Sequence, residues 1–133
     1  MKQITIVTPG REGLVADISK HLASAHINIE DLDAFAVRDW DIVHLAVSNY
    51  DVALQVLRDA GYDAITEDAV VVNVKDEPGS LAHLTQRLFD GGVDIRSVRI
   101  LHRQAGEAMV AISMEDTEQG MKLIEDLLVS RSM

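Results

Sequence analysis

Gly13-Leu14-Val15-Ala16-Asp17-Ile18-Ser19-Lys20-His21-Leu22-Ala23-Ser24-Ala25-His26-Ile27-Asn28-Ile29 decides the fold, because the chain repeats its pattern at Gly79-Ser80-Leu81-Ala82-His83-Leu84-Thr85-Gln86-Arg87-Leu88-Phe89-Asp90-Gly91-Gly92-Val93-Asp94-Ile95. Sliding the chain against itself by 66 positions superposes Gly13 on Gly79, Ala16 on Ala82, Leu22 on Leu88 and Ile29 on Ile95 without an insertion. Between those identities the chemical character holds: Val15 with Leu81, Ile18 with Leu84, Ser19 with Thr85, Ile27 with Val93, Asn28 with Asp94, Leu32 with Val98 and Leu57 with Leu123. A fixed internal period sets the architecture. Two copies of a ~65-residue unit are too few for a solenoid, so the pattern predicts a tandem pair of small domains, residues 1–67 and 68–133.

Each copy parses in the same order. In the first, Ile4, Ile6 and Val7 form a short β-branched run that breaks at Pro9-Gly10. From Glu12 the period becomes helical, with Val15, Ile18, Leu22 and Ala25 as one apolar stripe. Ile27 to Val37 reads as a strand, Trp40-Asp41 as a turn and Ile42 to Val47 as the hairpin partner. Asp51 to Ala60 is a second amphipathic helix stopped by Gly61, and Tyr62 to Thr66 is a closing strand.

In the second copy Val70 to Val74 is a strand, and Pro78 is expected in the first helical turn, where its missing N–H costs nothing. Leu81, Leu84 and Leu88 form the stripe, and Gly91-Gly92 ends that helix. Asp94 to His102 and Ala108 to Met114 make a hairpin around Gly106, followed by a helix over Asp116 to Leu128. Val129 to Met133 remains for a last strand, expected to be short, frayed or absent. The fold class is α+β: two ferredoxin-like βαββαβ units in tandem, each an antiparallel sheet with helices on one face. The Glu67-Asp68 junction is too short for a flexible linker, so the halves are expected to pack together, and such sheets can pair edge to edge.

The composition narrows the chemistry. With 133 residues and 47% hydrophobic content there is material for a core, and an aromatic share of 4% makes that core aliphatic. The absence of cysteine excludes a disulfide framework, a thiolate metal site and a cysteine nucleophile. The start, MKQITIVTPG, carries no signal-peptide pattern, and no apolar run is long enough for a membrane span, which predicts a soluble cytoplasmic protein without a membrane partner. A formal net charge of −10 repels phosphate backbones. The Arg cluster, Arg96, Arg99 and Arg103, lies in a strand-like stretch without stacking aromatics, so no nucleic-acid partner is expected.

The loop between the first strand and first helix of each copy is the candidate site. It reads Thr8-Pro9-Gly10-Arg11-Glu12-Gly13-Leu14 in one and Lys75-Asp76-Glu77-Pro78-Gly79-Ser80-Leu81 in the other. A glycine there lets backbone approach a ligand, and the free N–H groups of a helix start favour a carboxylate. Asp76-Glu77-Pro78-Gly79-Ser80-Leu81 followed by Gly92-Val93-Asp94-Ile95 resembles the D-x-P-G-x-L … G-x-N-I pattern of the ACT domain. Arg11-Glu12-Gly13-Leu14-Val15-Ala16 with Ile27-Asn28-Ile29 is similar to the ACT units of glycine-cleavage repressor-like proteins and formyltetrahydrofolate deformylases.

That resemblance implies a regulatory module that binds small molecules, commonly amino acids, between paired units. Carried over, it points to Gly13 and Leu14 with Asn28 and Ile29, and to Asp76, Gly79 and Ser80 with Asp94 and Ile95; Gly10, Arg11, Pro78 and Leu81 complete the loops. One composite site would join the Asp76–Leu81 loop to the strand beginning at Asn28. The chain departs from the family at Glu12, where Pro is usual, at His26, where Gly is usual, and at Asp94, where Asn is usual, so one of the two sites is expected to be degenerate.

Other chemistry finds less support. His21 and Asp17 lie four apart on a helix, but no further ligand joins them and no metal or cofactor is expected. His44, inside an apolar strand, reads as a satisfied core or interface histidine, and Met109, Met114 and Met121 as packing. No G-x-S-x-G elbow, P-loop or H-E-x-x-H is present. The expectation is a stand-alone regulatory protein without catalysis, forming a homodimer or acting through a partner enzyme or regulator. A permanent regulatory subunit, similar to the acetolactate synthase small subunit, is the alternative, and an acylphosphatase-like enzyme using Arg11 is the remote one.

Overall fold

A computed structural model describes residues 2–129. The chain divides into two compact units, Met1–Glu67 and Asp68–Met133. Unit 1 runs β1 (Ile4–Pro9), α1 (Leu14–Ser24), β2 (Ile29–Val37), β3 (Trp40–Val47), α2 (Tyr50–Asp59) and β4 (Ala64–Ile65). Its strands lie in the order β2-β3-β1-β4, every pair antiparallel, which is the ferredoxin-like arrangement. Alternation along the strands turns Ile4, Ile6, Val43 and Leu45 toward the helices. They meet Leu14, Ile18 and Leu22 of α1, spaced by four, and Ala53 and Leu57 of α2. Val15, one step round from that seam, is 37% exposed rather than part of the buried stripe.

Unit 2 runs β5 (Ala69–Lys75), α3 (Ser80–Asp90), β6 (Ile95–Gln104), β7 (Glu107–Met114), α4 (Thr117–Leu123) and a 3₁₀ turn at Glu125–Leu127. The strand order is β5-β7-β6, again antiparallel. The place of a fourth strand is marked by one bridge, Val72 to Leu128, and by the Val129 N–H donating to the Val71 carbonyl at 3.0 Å. The remainder of the expected closing strand, 130–133, lies outside the described residues.

Three local expectations are corrected. Trp40 is not in the turn. It opens β3 opposite Val37, is 3% exposed, and leaves Arg38-Asp39 as the two-residue connection, with Arg38 at φ 53°. Burial of a large indole outweighs the turn propensity of its aspartate neighbour. Pro78 lies outside the helix, which begins at Ser80 with Gly79 as N-cap. The last helix stops at Leu123 instead of running to Leu128. Gly120 weakens it from within, and the Arg87 guanidinium captures its end, donating to the Leu123 carbonyl at 2.6 Å and to the Asp126 carboxylate at 2.6 and 3.2 Å.

The ungapped repeat is also corrected. Both units carry a bulge where the second strand begins, at Glu30 and at Arg96, in register with the 66-residue period. β6 then carries a second bulge at Leu101 that β2 lacks. From there the correspondence is one residue longer. The N-caps Asn49 and Asp116 match, Ala53 matches Gly120, and Leu57 matches Ile124, both 0% exposed, in place of Leu123.

His26 closes α1 in the left-handed region at φ 59°, where its counterpart Gly92 sits at φ 78°. A side chain there costs roughly 1 kcal/mol or more relative to glycine. His26→Gly is therefore expected to stabilise the protein by about 1 kcal/mol, read as a higher midpoint in urea; an unchanged midpoint would contradict the strain.

Candidate functional site

The loop after β1 is tied to the tip of the following hairpin in both units. The Gly10 N–H donates to the Asp39 carbonyl at 2.7 Å, and the Asp76 N–H donates to the Gly106 carbonyl at 2.9 Å. Arg11 N–H donates to the Asp41 carboxylate at 3.1 Å. The chain then enters the helix through Gly13 at φ 72° and Gly79 at φ 92°, and no side chain caps either start. By contrast Asn49 and Asp116 accept from the first turns of α2 and α4. A Cβ on Gly13 or Gly79 would meet nothing within 4 Å, so the backbone angle, not crowding, requires glycine there.

In unit 1 this loop borders an open groove of about 420 Å³. Arg11, Gly13, Leu14, Val15 and Ala16 form one wall, and Ala34, Phe35, Ala36, Asp41, Ile42 and Val43 of the β2–β3 hairpin form the other. The groove is apolar along its length, with Arg11 and Asp41 supplying the charge.

A polar cluster anchors the same helix start. The Tyr62 hydroxyl donates to the Asp17 carboxylate, which lies 3.5 Å from His21 Nε2 and 4.0 Å from Arg11 Nη2. Arg11 Nη1 donates to the Tyr62 hydroxyl at 3.4 Å. The Tyr62 hydrogen bond, then the His21 and Arg11 charges, hold Asp17 below its ordinary value against an opposing desolvation. Burial first, and the Asp17 carboxylate second, push the Tyr62 phenol up to about 12. Asp17 and His21 pair as their spacing allows, and among the described residues no three His, Asp or Glu side chains are grouped to hold a metal.

In unit 2 Asp76 accepts from Arg103 Nε at 3.2 Å, so its carboxylate already faces a guanidinium. Ser80 N–H donates to the Glu77 carbonyl at 3.2 Å, and Leu81 is 37% exposed. A second hollow, of about 300 Å³, is lined by Thr85, Gln86, Phe89, Val93, Asp94 and Ile95.

The structure gathers Gly10, Arg11, Gly13 and Leu14 at one end of α1, and Asn28 and Ile29 at the other, where Asn28 exchanges hydrogen bonds with Ser48 at 3.0 Å. At 1.5 Å per residue the helix separates the groups by roughly 16 Å. Likewise Asp76, Pro78, Gly79, Ser80 and Leu81 precede α3, while Asp94 and Ile95 follow it. Neither unit joins its loop to its own strand start. Tyr62, Asp41 and Phe35 each reach the candidate loop or groove from a distant part of the chain, and sequence reasoning did not single them out. His44 is satisfied as expected, its Nδ1 2.9 Å from Thr5 Oγ1 and its ring 5.7 Å from Phe35, with burial lowering its pKa against the Asp33 charge.

No family model and no curated protein matches the chain. Among solved structures, it is similar to a protein of Bacteroides thetaiotaomicron, with 24% identity over 97% of this chain and 92% of that one, at a TM-score of 0.48. It is also similar to the regulatory subunit of aspartate kinase from Thermus thermophilus, with 18% identity over 95% of this chain and 91% of that one, at a TM-score of 0.44. A putative glycine cleavage system transcriptional repressor is 17% identical over 94% of this chain and 88% of that one, at a TM-score of 0.39. By its own element order and strand order, the chain is a tandem pair of ferredoxin-like units, the second showing a single bridge in place of its fourth strand within the described residues.

Proposed function

We propose that this chain is a regulatory protein that binds an amino acid at the start of α1 and carries out no catalytic step of its own. The observation that carries the reading is the groove beside Gly13, about 420 Å³ in volume, which falls in the range of small-molecule sites. An amino acid presents a carboxylate, an ammonium and a side chain. The uncapped α1 start and the Arg11 guanidinium suit the first, and the Asp41 carboxylate suits the second. Leu14, Ala34, Phe35 and Val43 suit an apolar side chain. The matching glycine cap at Gly79, with Asp76, Pro78, Ser80 and Leu81, is the candidate second site, altered by the Arg103 contact to Asp76.

Output follows from differential affinity. Ligand favours one arrangement of the protein, and a partner enzyme, a regulator or a second copy reads it. A thermal-shift screen across the proteinogenic amino acids tests the reading, since a ligand at 100 times its dissociation constant adds about 2.7 kcal/mol to stability. At least one apolar amino acid is expected to raise the melting temperature, and Arg11→Ala to weaken its binding more than tenfold, about 1.4 kcal/mol. A flat screen, or an Arg11→Ala protein that binds as tightly as wild type, would sink it.

A further inference from the structure

We infer that Tyr62 is a positioning residue: its hydroxyl occupies the Asp17 carboxylate and so keeps the Arg11 guanidinium open to an anion at the α1 start. This rests on the reading of that start as a carboxylate site, and Tyr62 is the residue that stops the site from closing on itself.

The difficulty is one of charge. Arg11 and Asp17 stand at the same end of α1, and opposite charges so placed pair with each other unless something intervenes. A guanidinium closed on an internal carboxylate has its donors taken and its charge offset, so an incoming carboxylate must displace the internal one. Here the pair stays open. Arg11 Nη2 lies 4.0 Å from Asp17 Oδ2, and the arginine side chain is 47% exposed. In unit 2, where nothing intervenes, Arg103 reaches Asp76 at 3.2 Å and Arg87 reaches Asp126 at 2.6 Å.

The Tyr62 hydroxyl donates to Asp17 Oδ2, the oxygen that Arg11 faces, and accepts from Arg11 Nη1 at 3.4 Å. His21 Nε2 approaches the same oxygen at 3.5 Å, and Lys20 adds a more distant positive charge. On the groove side, Asp41 already accepts from the Arg11 backbone N–H. The tyrosine is held from behind. Its N–H donates to the Leu57 carbonyl at 3.0 Å, it is 8% exposed, and its ring packs with Ala53 and Leu57 and meets the His21 ring edge-on. Burial fixes the ring while the hydroxyl reaches the surface. With its phenol pushed up to about 12, Tyr62 remains a donor at neutral pH, and Asp17, held below its ordinary value, remains an acceptor.

The second copy lacks the set. The 66-residue period puts Glu77, His83 and Arg87 where unit 1 has Arg11, Asp17 and His21, and Arg87 is turned toward Leu123 and Asp126.

Phenylglyoxal, which modifies unpaired guanidinium groups, tests the role on the full chain, with the rate at Arg11 read by peptide mass spectrometry. The variants are Tyr62→Phe, which removes the hydroxyl and keeps the ring, and Tyr62→Phe/Asp17→Asn. Arg96 in unit 2 is the internal reference and its rate should not move. In Tyr62→Phe, Arg11 should close on Asp17 and react roughly three- to fivefold more slowly, the protection expected of a surface ion pair. In the double variant no carboxylate remains to close on, and the wild-type rate should return. A purely structural Tyr62 would instead loosen the helix start and speed the reaction at Arg11. A Tyr62→Phe rate equal to or above wild type therefore overturns the inference. So does a double variant that melts cooperatively yet stays slow. Both are read without any amino acid present, while the thermal-shift screen judges the ligand reading, so either can fail alone.

Discussion

Trp40→Ala is expected to lower the free energy of unfolding by about 3–5 kcal/mol, a large share of the ~5–15 kcal/mol that holds a typical domain. Trp40 is 3% exposed and pairs with both Val37 and Pro9 at the head of β3, so its loss empties a large volume at the junction of three strands. Urea denaturation followed by circular dichroism measures it, since the substitution removes the chain's one tryptophan. Trp40→Phe keeps most of the packing and should cost clearly less. A loss under about 0.5 kcal/mol for the alanine variant, the usual range for a surface turn, would return Trp40 to the turn.

Leu88→Ala is expected to cost about 2–5 kcal/mol, with the damage concentrated in unit 2. Leu88 is 0% exposed and packs in the cluster of Val72, Leu84, Val93, Val110, Ile112 and Ile124. Its equivalent Leu22, also 0% exposed, is the matched substitution in unit 1. Hydrogen exchange resolved by residue separates the two: Leu88→Ala should accelerate exchange across β5 and β7 first, and Leu22→Ala across β1 and β3. A Leu88→Ala protein whose unit 1 amides lose protection first would contradict this assignment of the cores.

Much of the fold was legible because it is written locally. Ile18 and Leu22 recur at helical spacing and are buried, and Gly91-Gly92 ends a helix. The errors fall where a distant partner decides. Gln86 and Arg87 look alike as exposed helix residues, yet Arg87 reaches Leu123 and Asp126 and ends α4. Trp40-Asp41 has turn composition, but strand pairing moves the turn two residues earlier.

The site divides in the same way. Arg11, Gly13 and Leu14 are near neighbours in one loop, so a single stretch of sequence points to all three as candidates. Tyr62, 51 residues from Arg11, and Asp41, 30 residues from it, enter only through the fold. Asn28 and Ile29 enter through the resemblance, which implies ligands held between paired units; within unit 1, α1 sets them at the far end from the Gly13 loop.

The bulge at Leu101 bears on how the two halves came to differ. In genetic terms it has the form of a one-codon insertion in one copy of a duplicated segment. In a plain strand, one added residue would invert every side chain beyond it, turning Val110 and Ile112 of the partner strand against the wrong neighbours. The bulge confines the extra residue to one position and buries it, at 8% exposure, so the reading of both faces resumes unchanged at His102. The halves can therefore lose their common spacing without losing their common architecture, and an alignment of one half to the other must open a gap in mid-strand rather than in a loop.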